Sequence, residues 1–254
     1  MVSVIQVYNA VKNIANKEQK GFITPAVFNS FAPIAQMNIY NEMFAELVAA
    51  KRISRQNFDP GRDKSVRKQK LEDLAFYKRK ANVTADNSNV FLKPNNLSRV
   101  ISISANHDAS ESLGTTEERI DCELIYDPEK LDRIVTSNLS APTASFPVAL
   151  IGPKDIEIVP YDDLDDVVIN YYAKPTSFNQ DGDITGLPPF YSVEQVTAPN
   201  SDGAVEIPNL GSSRDFMLPP HYLNEIVVEI LKFVGVRLRD ANIGTFATQE
   251  EASE

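Results

Sequence analysis

The run YDDLDD places four aspartates close together, and paired carboxylates could serve acid–base chemistry or bind a metal ion. It lies inside residues 156–175, where two alternating apolar segments flank it and a proline follows, so the pattern predicts a β-hairpin. Aspartate is common in solvated turns because its side chain bonds to nearby backbone. We therefore expect a turn here rather than a catalytic site. The residues concerned are Asp162, Asp163, Asp165 and Asp166.

The segment DGDITGLPPFYS, residues 181–192, begins like a calcium-binding loop. Its twelfth position is Ser192 instead of the glutamate that such loops use, prolines occupy its eighth and ninth positions, and no helices are predicted beside it. An ordinary turn is the better interpretation. The residues at matching offsets are Asp181, Asp183, Thr185 and Gly186.

The histidines and the cysteine suggest no reactive site. His107 lies in a polar stretch and His221 opens the last predicted helix, and no carboxylate pattern beside either one is typical of metal binding. Alternation places the single cysteine, Cys122, on one strand face with apolar neighbours, which favours a small core residue. The run SVRK (65–68) matches an acyl-enzyme motif in four letters only. We predict no catalytic residues, no metal and no cofactor, and hence no enzymatic activity.

Composition and charge restrict the partners and the compartment expected for this protein. The chain has 254 residues, 43% of them hydrophobic, which is enough to bury a core. Its net charge of −10 makes free nucleic acid an unexpected partner for the surface as a whole. It lacks a secretory start and an apolar run long enough to span a bilayer, so we expect a reducing compartment and no membrane.

Both ends of the chain have helical periodicity. Apolar residues recur at three-four spacing from Val4 to Ile14, and a second helix is predicted from residue 25 to 52, with Thr24 as N-cap. A third helix is predicted over 65–80 and a last one over 219–241. The apolar face expected for the second helix comprises Phe28, Phe31, Ala35, Ile39, Phe44, Leu47 and Val48.

A basic segment, residues 51–80, carries a local charge of +7, so the remaining chain carries −17. Three interpretations stay open: a solvated helix face, a surface that docks an acidic protein, and a contact with nucleic-acid phosphates. The cations are Lys51, Arg52, Arg55, Arg62, Lys64, Arg67, Lys68, Lys70, Lys78, Arg79 and Lys80.

Between residues 82 and 215 the periodicity changes to two-fold, with six strand candidates separated by turn residues. The predicted fold is therefore α+β: a helical bundle formed by the N-terminal helices and a C-terminal helix, with an inserted antiparallel β unit. The predicted domains are 1–81 with 216–241 for the bundle, 82–215 for the β domain, and 242–254 for an extended tail.

Three segments resemble structural proteins of tailed bacteriophages, in particular head-to-tail connectors of crAss-like phages. The first is the opening VIQVYNAVKNIANKEQKGFITPAVFNSFAPIAQMNIYNEMF, with its Asn-Lys-x-Gln-x-Gly turn and Thr-Pro helix start. The second is FPVALIGPKDIEIVPYDDLDDVVINYYAKPTS, a strand ending in Pro160 followed by one ending in Tyr171, Tyr172 and Pro175. The third is FMLPPHYLNEIVVEIL, which is similar to the closing helix of that family.

This resemblance implies a non-enzymatic adaptor ring in the virion neck, assembled in the host cytoplasm. Such rings are dodecamers that contact the portal protein and a neighbouring tail ring protein, and packaged DNA passes through them without sequence-specific binding. Alternatives are another tail or neck ring component, or a DNA-binding regulator that uses residues 51–80. The tail could reach an adjoining ring. The interface candidates are Arg62, Lys64, Arg67, Lys68 and Lys70 in the basic segment and Phe246, Glu250 and Glu251 in the tail.

Overall fold

The computed structural model describes residues 1–17, 23–56, 62–84, 90–107, 118–160, 164–197 and 204–237. The predicted mixed α+β composition is confirmed in these residues. The helices are α1 (Val4–Lys17), α2 (Pro25–Gln56), α3 (Arg62–Ala75), α4 (Pro128–Val135) and α5 (Leu223–Arg237), and a 3-10 turn, Pro220–Tyr222, precedes α5. The strands are β1 (Lys78–Thr84), β2 (Val90–Leu92), β3 (Leu97–His107), β4 (Glu118–Asp121), β5 (Glu123–Ile125), β6 (Val148–Ile151), β7 (Asp155–Val159), β8 (Leu164–Ala173), β9 (Ser177–Phe178), β10 (Val193–Thr197), β11 (Ala204–Pro208) and β12 (Asp215–Phe216).

The chain divides into two compact units. Unit 1 contains the described residues of Met1–Phe76 and Pro175–Glu254, and unit 2 is Tyr77–Lys174. The sequence pattern predicts divisions near residues 81 and 215 instead. The first boundary differs because the basic residues at 78–80, which resemble a helix end in composition, begin β1. The second differs because the described strands after residue 175 pair in two-stranded sheets that belong to unit 1.

In unit 1, α5 contacts α1 and α2, and α3 contacts α2. Local bonds fix where the helices begin: the amide of Val27 donates to Thr24 Oγ1 at 3.3 Å, as predicted for an N-cap. The amide of Val4 donates to Asp215 Oδ1 at 2.9 Å, so a residue far along the chain caps α1. The core-facing residues of α5 are Ile226, Val227, Ile230, Leu231 and Val234.

Two predicted core positions in these helices are wrong. Val48 on α2 and Ile14 on α1 are both exposed, although the spacing of apolar residues placed them on the buried stripes. Ala15 is buried in α1 instead. Three-four spacing defines the centre of an apolar stripe, but residues at its edges are buried or exposed according to the partner that covers them, which periodicity alone does not indicate.

Unit 2 contains two four-stranded sheets, in the orders β1-β8-β3-β4 and β2-β7-β6-β5. Their inner faces share one apolar core that includes Phe91, Ile103, Ile158 and Ile169. A second cluster joins Leu131 of α4 to strands β5 and β6. All pairs in these sheets are antiparallel except β5–β6, which is parallel because α4 lies in the connection between those strands.

The predicted β-hairpin at 156–175 is wrong. Both segments are strands, but β7 pairs with β2 and β6, whereas β8 pairs with β1 and β3. Strand β8 has neighbours on both edges, and Val167, Val168 and Ile169 are all buried in it. Alternation indicates that a segment is a strand but does not indicate its partner. Of the aspartates between them, Asp162 and Asp163 lie outside the described residues.

Candidate interaction surfaces

Two amide side chains on α2 hold distant backbone segments of unit 1. Asn29 donates to the Tyr191 carbonyl at 2.8 Å and accepts from the Tyr191 amide at 2.7 Å. Gln36, which is buried, donates to the Thr176 carbonyl at 2.7 Å and accepts from the Met217 amide at 2.9 Å. An amide offers one donor and one acceptor group, so each residue satisfies two backbone groups. These bonds attach the irregular segments after residue 175 to one face of α2.

Aromatic rings reinforce the same attachment. Tyr8 of α1 stacks on Tyr191 with ring centroids 4.0 Å apart, and Phe28 of α2 meets Tyr8 edge-to-face at 5.3 Å. The Tyr8 hydroxyl donates to the Ile23 carbonyl at 3.1 Å, so this buried ring keeps its polar partner. The inward face of α2, over its described side chains, is therefore packed within unit 1.

A stripe on the opposite face of α2 is exposed and uncharged, with the exposed Glu42 beside it. Ile34, Met37 and Val48 are 47%, 37% and 46% exposed. Asn41 and Ala45, both exposed, complete a stripe at spacings of three, four, four and three. That spacing aligns side chains along one helical face, as in seams between packed helices. We call these five residues the α2 stripe. It differs from an ordinary solvent-facing helix surface, which is mainly charged or polar.

The basic helix α3 is tied to its neighbours through a buried carboxylate. Asp73 accepts from the Tyr222 hydroxyl at 3.2 Å, and its other oxygen lies 3.3 Å from His221 Nε2. Lys70 lies 2.5 Å from Glu46 of α2 and 3.4 Å from the Tyr222 hydroxyl. Burial, with the adjacent carboxylate of Asp73, raises the pKa of Tyr222 well above its ordinary range, so this phenol remains a hydrogen-bond donor.

The structure places the predicted interface residues in different environments. Lys70 belongs to the internal Asp73 network, whereas Lys68 is exposed beside Glu72 at 3.7 Å. A pair so exposed contributes little to stability. The side chains of Arg62, Lys64 and Arg67 lie outside the described part of the structure, and so do the tail residues. Those tail residues are Phe246, Glu250 and Glu251.

The structure also locates the residues considered for chemistry. Cys122 packs in the unit 2 core as predicted, and burial raises the pKa of its thiol to about 11. Residues 179–186 form a hydrogen-bonded turn in which Gly182 and Gly186 have positive φ. Among the residues that the structure describes, no cluster of three or more histidine, cysteine or acidic side chains could hold a metal ion. No described helix has the length and apolarity needed to cross a membrane.

Sequence reasoning missed two features. The Asp73 network joins residues about 150 positions apart, and nothing local marks Asp73, His221 and Tyr222 as partners. The α2 stripe could have been found from the sequence, because Ile34 and Met37 are apolar residues that do not belong to the predicted buried face of the helix.

No protein-family model matches the chain, and no curated protein matches it. The function of the chain is therefore inferred from its own surfaces. Within unit 1, those surfaces include a helix whose inner face is packed and whose outer face carries the α2 stripe, and a basic helix bonded through a buried carboxylate.

Proposed function

We propose that this protein is a non-enzymatic structural component of a tailed bacteriophage virion, the subunit of an adaptor ring between portal and tail. Copies of the chain surround the DNA channel, contact the portal on one side and a neighbouring tail ring protein on the other, and assemble in the host cytoplasm. The resemblance of three segments to crAss-like phage connectors supports this assignment and implies a dodecamer.

The observation that carries the proposal is the α2 stripe. Its five residues present apolar or uncharged side chains to solvent over four helical turns, on a helix whose other face is fully occupied. Covering such a face against a helix or loop of a second copy removes apolar surface from water, which favours association. Asn41 is the polar residue of the α2 stripe. A polar residue in an otherwise apolar contact between helices favours one alignment of the two helices over the others.

The proposal includes a finer view of the fold. Helices α1, α2, α3 and α5 act as a helical bundle that forms the body of the ring, and unit 2 acts as an insertion that faces partners. In support, residues from both ends of the sequence belong to unit 1, and unit 2 is a continuous segment. Closed rings are generated when each subunit offers two different surfaces to its two neighbours.

Quantitative mass spectrometry of purified virions tests the assignment. We expect the chain to be present in a fixed copy number that equals that of the portal, and to stay with heads from which tails have been removed. Recovery with isolated tails would assign the chain to a tail ring instead. Absence from purified particles would contradict a structural role in the virion.

A further inference from the structure

The outer face of one unit 2 sheet carries a basic row. Strand β1 alternates regularly between exposed and half-buried residues, with Lys78 and Lys80 on the exposed side. The half-buried side, which includes Ala81 and Val83, packs on the core between the sheets. Lys78 and Lys80 therefore point away from that core, onto the other face of the sheet.

The register brings further polar groups beside these lysines. Lys78 pairs with Tyr172 of β8, which pairs on its other side with Arg99 of β3. Lys80 pairs with Asn170, whose side-chain amide donates to Ser102 Oγ at 3.0 Å. Neighbouring strands lie about 4.8 Å apart, so Lys78 and Arg99 flank Tyr172 at roughly 10 Å from each other. We call this group the basic sheet face. It comprises Lys78, Lys80, Arg99, Ser102, Asn170 and Tyr172.

Net charge differs between the two ends of this sheet face. Asp121, Asp166 and Arg119 lie toward one end, where Asp121 accepts from Ser104 at 2.7 Å. Ser104 and Val168, between the two ends, are buried, and the three cations are exposed at the other end. In a chain with a net charge of −10, this end is a local positive surface.

We propose that the basic sheet face binds the phosphate backbone of duplex DNA without reading its sequence. Lysine, arginine, serine, asparagine and tyrosine side chains are the groups that proteins use to contact DNA phosphates. Lys78 and Lys80 can each neutralise a phosphate and release its counterion, and the charge of Arg99 adds to the positive surface. The surface also has neutral hydrogen-bond donors, which contact DNA phosphates in other proteins but are not needed to bind an acidic peptide. Duplex DNA is favoured over a single strand because Tyr172, the aromatic residue of this face, is half-buried, whereas base stacking needs an open ring.

This inference goes beyond the proposed function and needs no ring. It can be tested on the isolated full-length chain, so its failure would leave the adaptor proposal standing. Fluorescence anisotropy with two labelled DNA duplexes of unrelated sequence measures binding over a range of salt concentrations. The combined variant is Lys78→Gln, Lys80→Gln and Arg99→Gln. The matched control removes the same charge from α4 and the β6–β7 turn by Lys130→Gln, Arg133→Gln and Lys154→Gln.

We expect equal affinity for the two duplexes and binding that weakens steeply with salt. The basic-face variant should lose roughly tenfold or more in affinity, and the slope of log K against log salt should become shallower by about 2 to 3, since each phosphate contact contributes about 0.9. The control variant should bind like the wild type. Thermal unfolding of each variant verifies that it is folded. If Arg99→Gln destabilises the fold, the double variant Lys78→Gln and Lys80→Gln, on the exposed edge strand, replaces the combined variant in the DNA-binding experiment.

Three results would overturn the proposal. The first is equal affinity of the basic-face variant and its control. The second is tighter binding of a single-stranded oligothymidylate than of the duplexes, which would assign the face to single strands. The third is competition by polyglutamate as effective as that by DNA, which would indicate an acidic protein partner.

Discussion

Asp73 is the residue on which the position of the basic helix depends. It is buried and bonded to Tyr222, and its second oxygen lies beside His221. Removing the carboxylate leaves the Tyr222 hydroxyl without this acceptor, and an unsatisfied buried group costs about 1–3 kcal/mol.

We therefore expect Asp73→Ala to lower the free energy of unfolding by about 1–3 kcal/mol, and Tyr222→Phe to lower it by about 1 kcal/mol. Chemical denaturation measures both. Glu72→Ala on the exposed side of the same helix is the control, and it should change stability by less than about 0.5 kcal/mol. Asp73→Ala and Glu72→Ala with the same stability would show that the network does not hold α3.

Cys122 gives a prediction about pH. Its thiol is buried, and burial raises its pKa to about 11, so it stays protonated at neutral pH. The thiolate is the nucleophile, and we therefore expect negligible alkylation of the native protein at pH 8 and fast alkylation after unfolding. The native rate should rise only as pH approaches 11. Labelling with iodoacetamide, followed by mass spectrometry, measures it, and rapid native labelling at pH 8 would contradict the burial of this residue.

At the scale of elements, sequence reasoning identified types better than partners. The helix start at Thr24, the strand around Val167 and the buried residues of α5 follow from caps and periodicity. The pairing of β8 with β1 and β3 does not, because those strands lie far apart in the sequence. The Asp73 network was missed for the same reason, because its residues also lie far apart in the sequence. Local patterns determine which face of an element is apolar, whereas tertiary packing determines what covers it.

Helix α5 tests the packing of unit 1. Ile226 and Ile230 are fully buried and lie one turn apart on the face that meets α1 and α2. We expect Ile226→Asp or Ile230→Asp to lower the free energy of unfolding by about 3 kcal/mol or more, because an unpaired buried carboxylate is costly.

Asn224→Asp introduces the same charge at an exposed position near the start of α5 and serves as the control. It should leave the unfolding transition nearly unchanged, since a negative charge is favourable near a helix N-terminus. Equal unfolding midpoints for Asn224→Asp and the two core variants would mean that α5 does not pack as described.

At the scale of the whole molecule, different surfaces have different proposed tasks. We propose that the α2 stripe joins copies of the chain and that the basic sheet face of unit 2 contacts DNA. In this proposal, net negative charge elsewhere lets DNA slide past the assembly, because like charges repel. The basic segment divides along the same lines, since Lys70 is engaged inside unit 1 while Lys78 and Lys80 lie on the sheet of unit 2. Composition alone could not separate these roles.

The α2 stripe can be removed without disturbing the inner face of its helix. We expect Ile34→Lys with Met37→Lys to leave thermal unfolding unchanged, because both side chains are already exposed, and to prevent self-association. The matched control is Leu92→Lys with Leu139→Lys, which places the same charges on exposed apolar residues of unit 2.

Native mass spectrometry of the purified wild type, the stripe variant and the control tests the central claim most directly. The account predicts that the wild type and the control form one closed oligomer with a single copy number, which the resemblance sets at twelve, and that the stripe variant is monomeric. A wild type that remains monomeric at all concentrations, or a stripe variant that keeps the wild-type copy number, would contradict it.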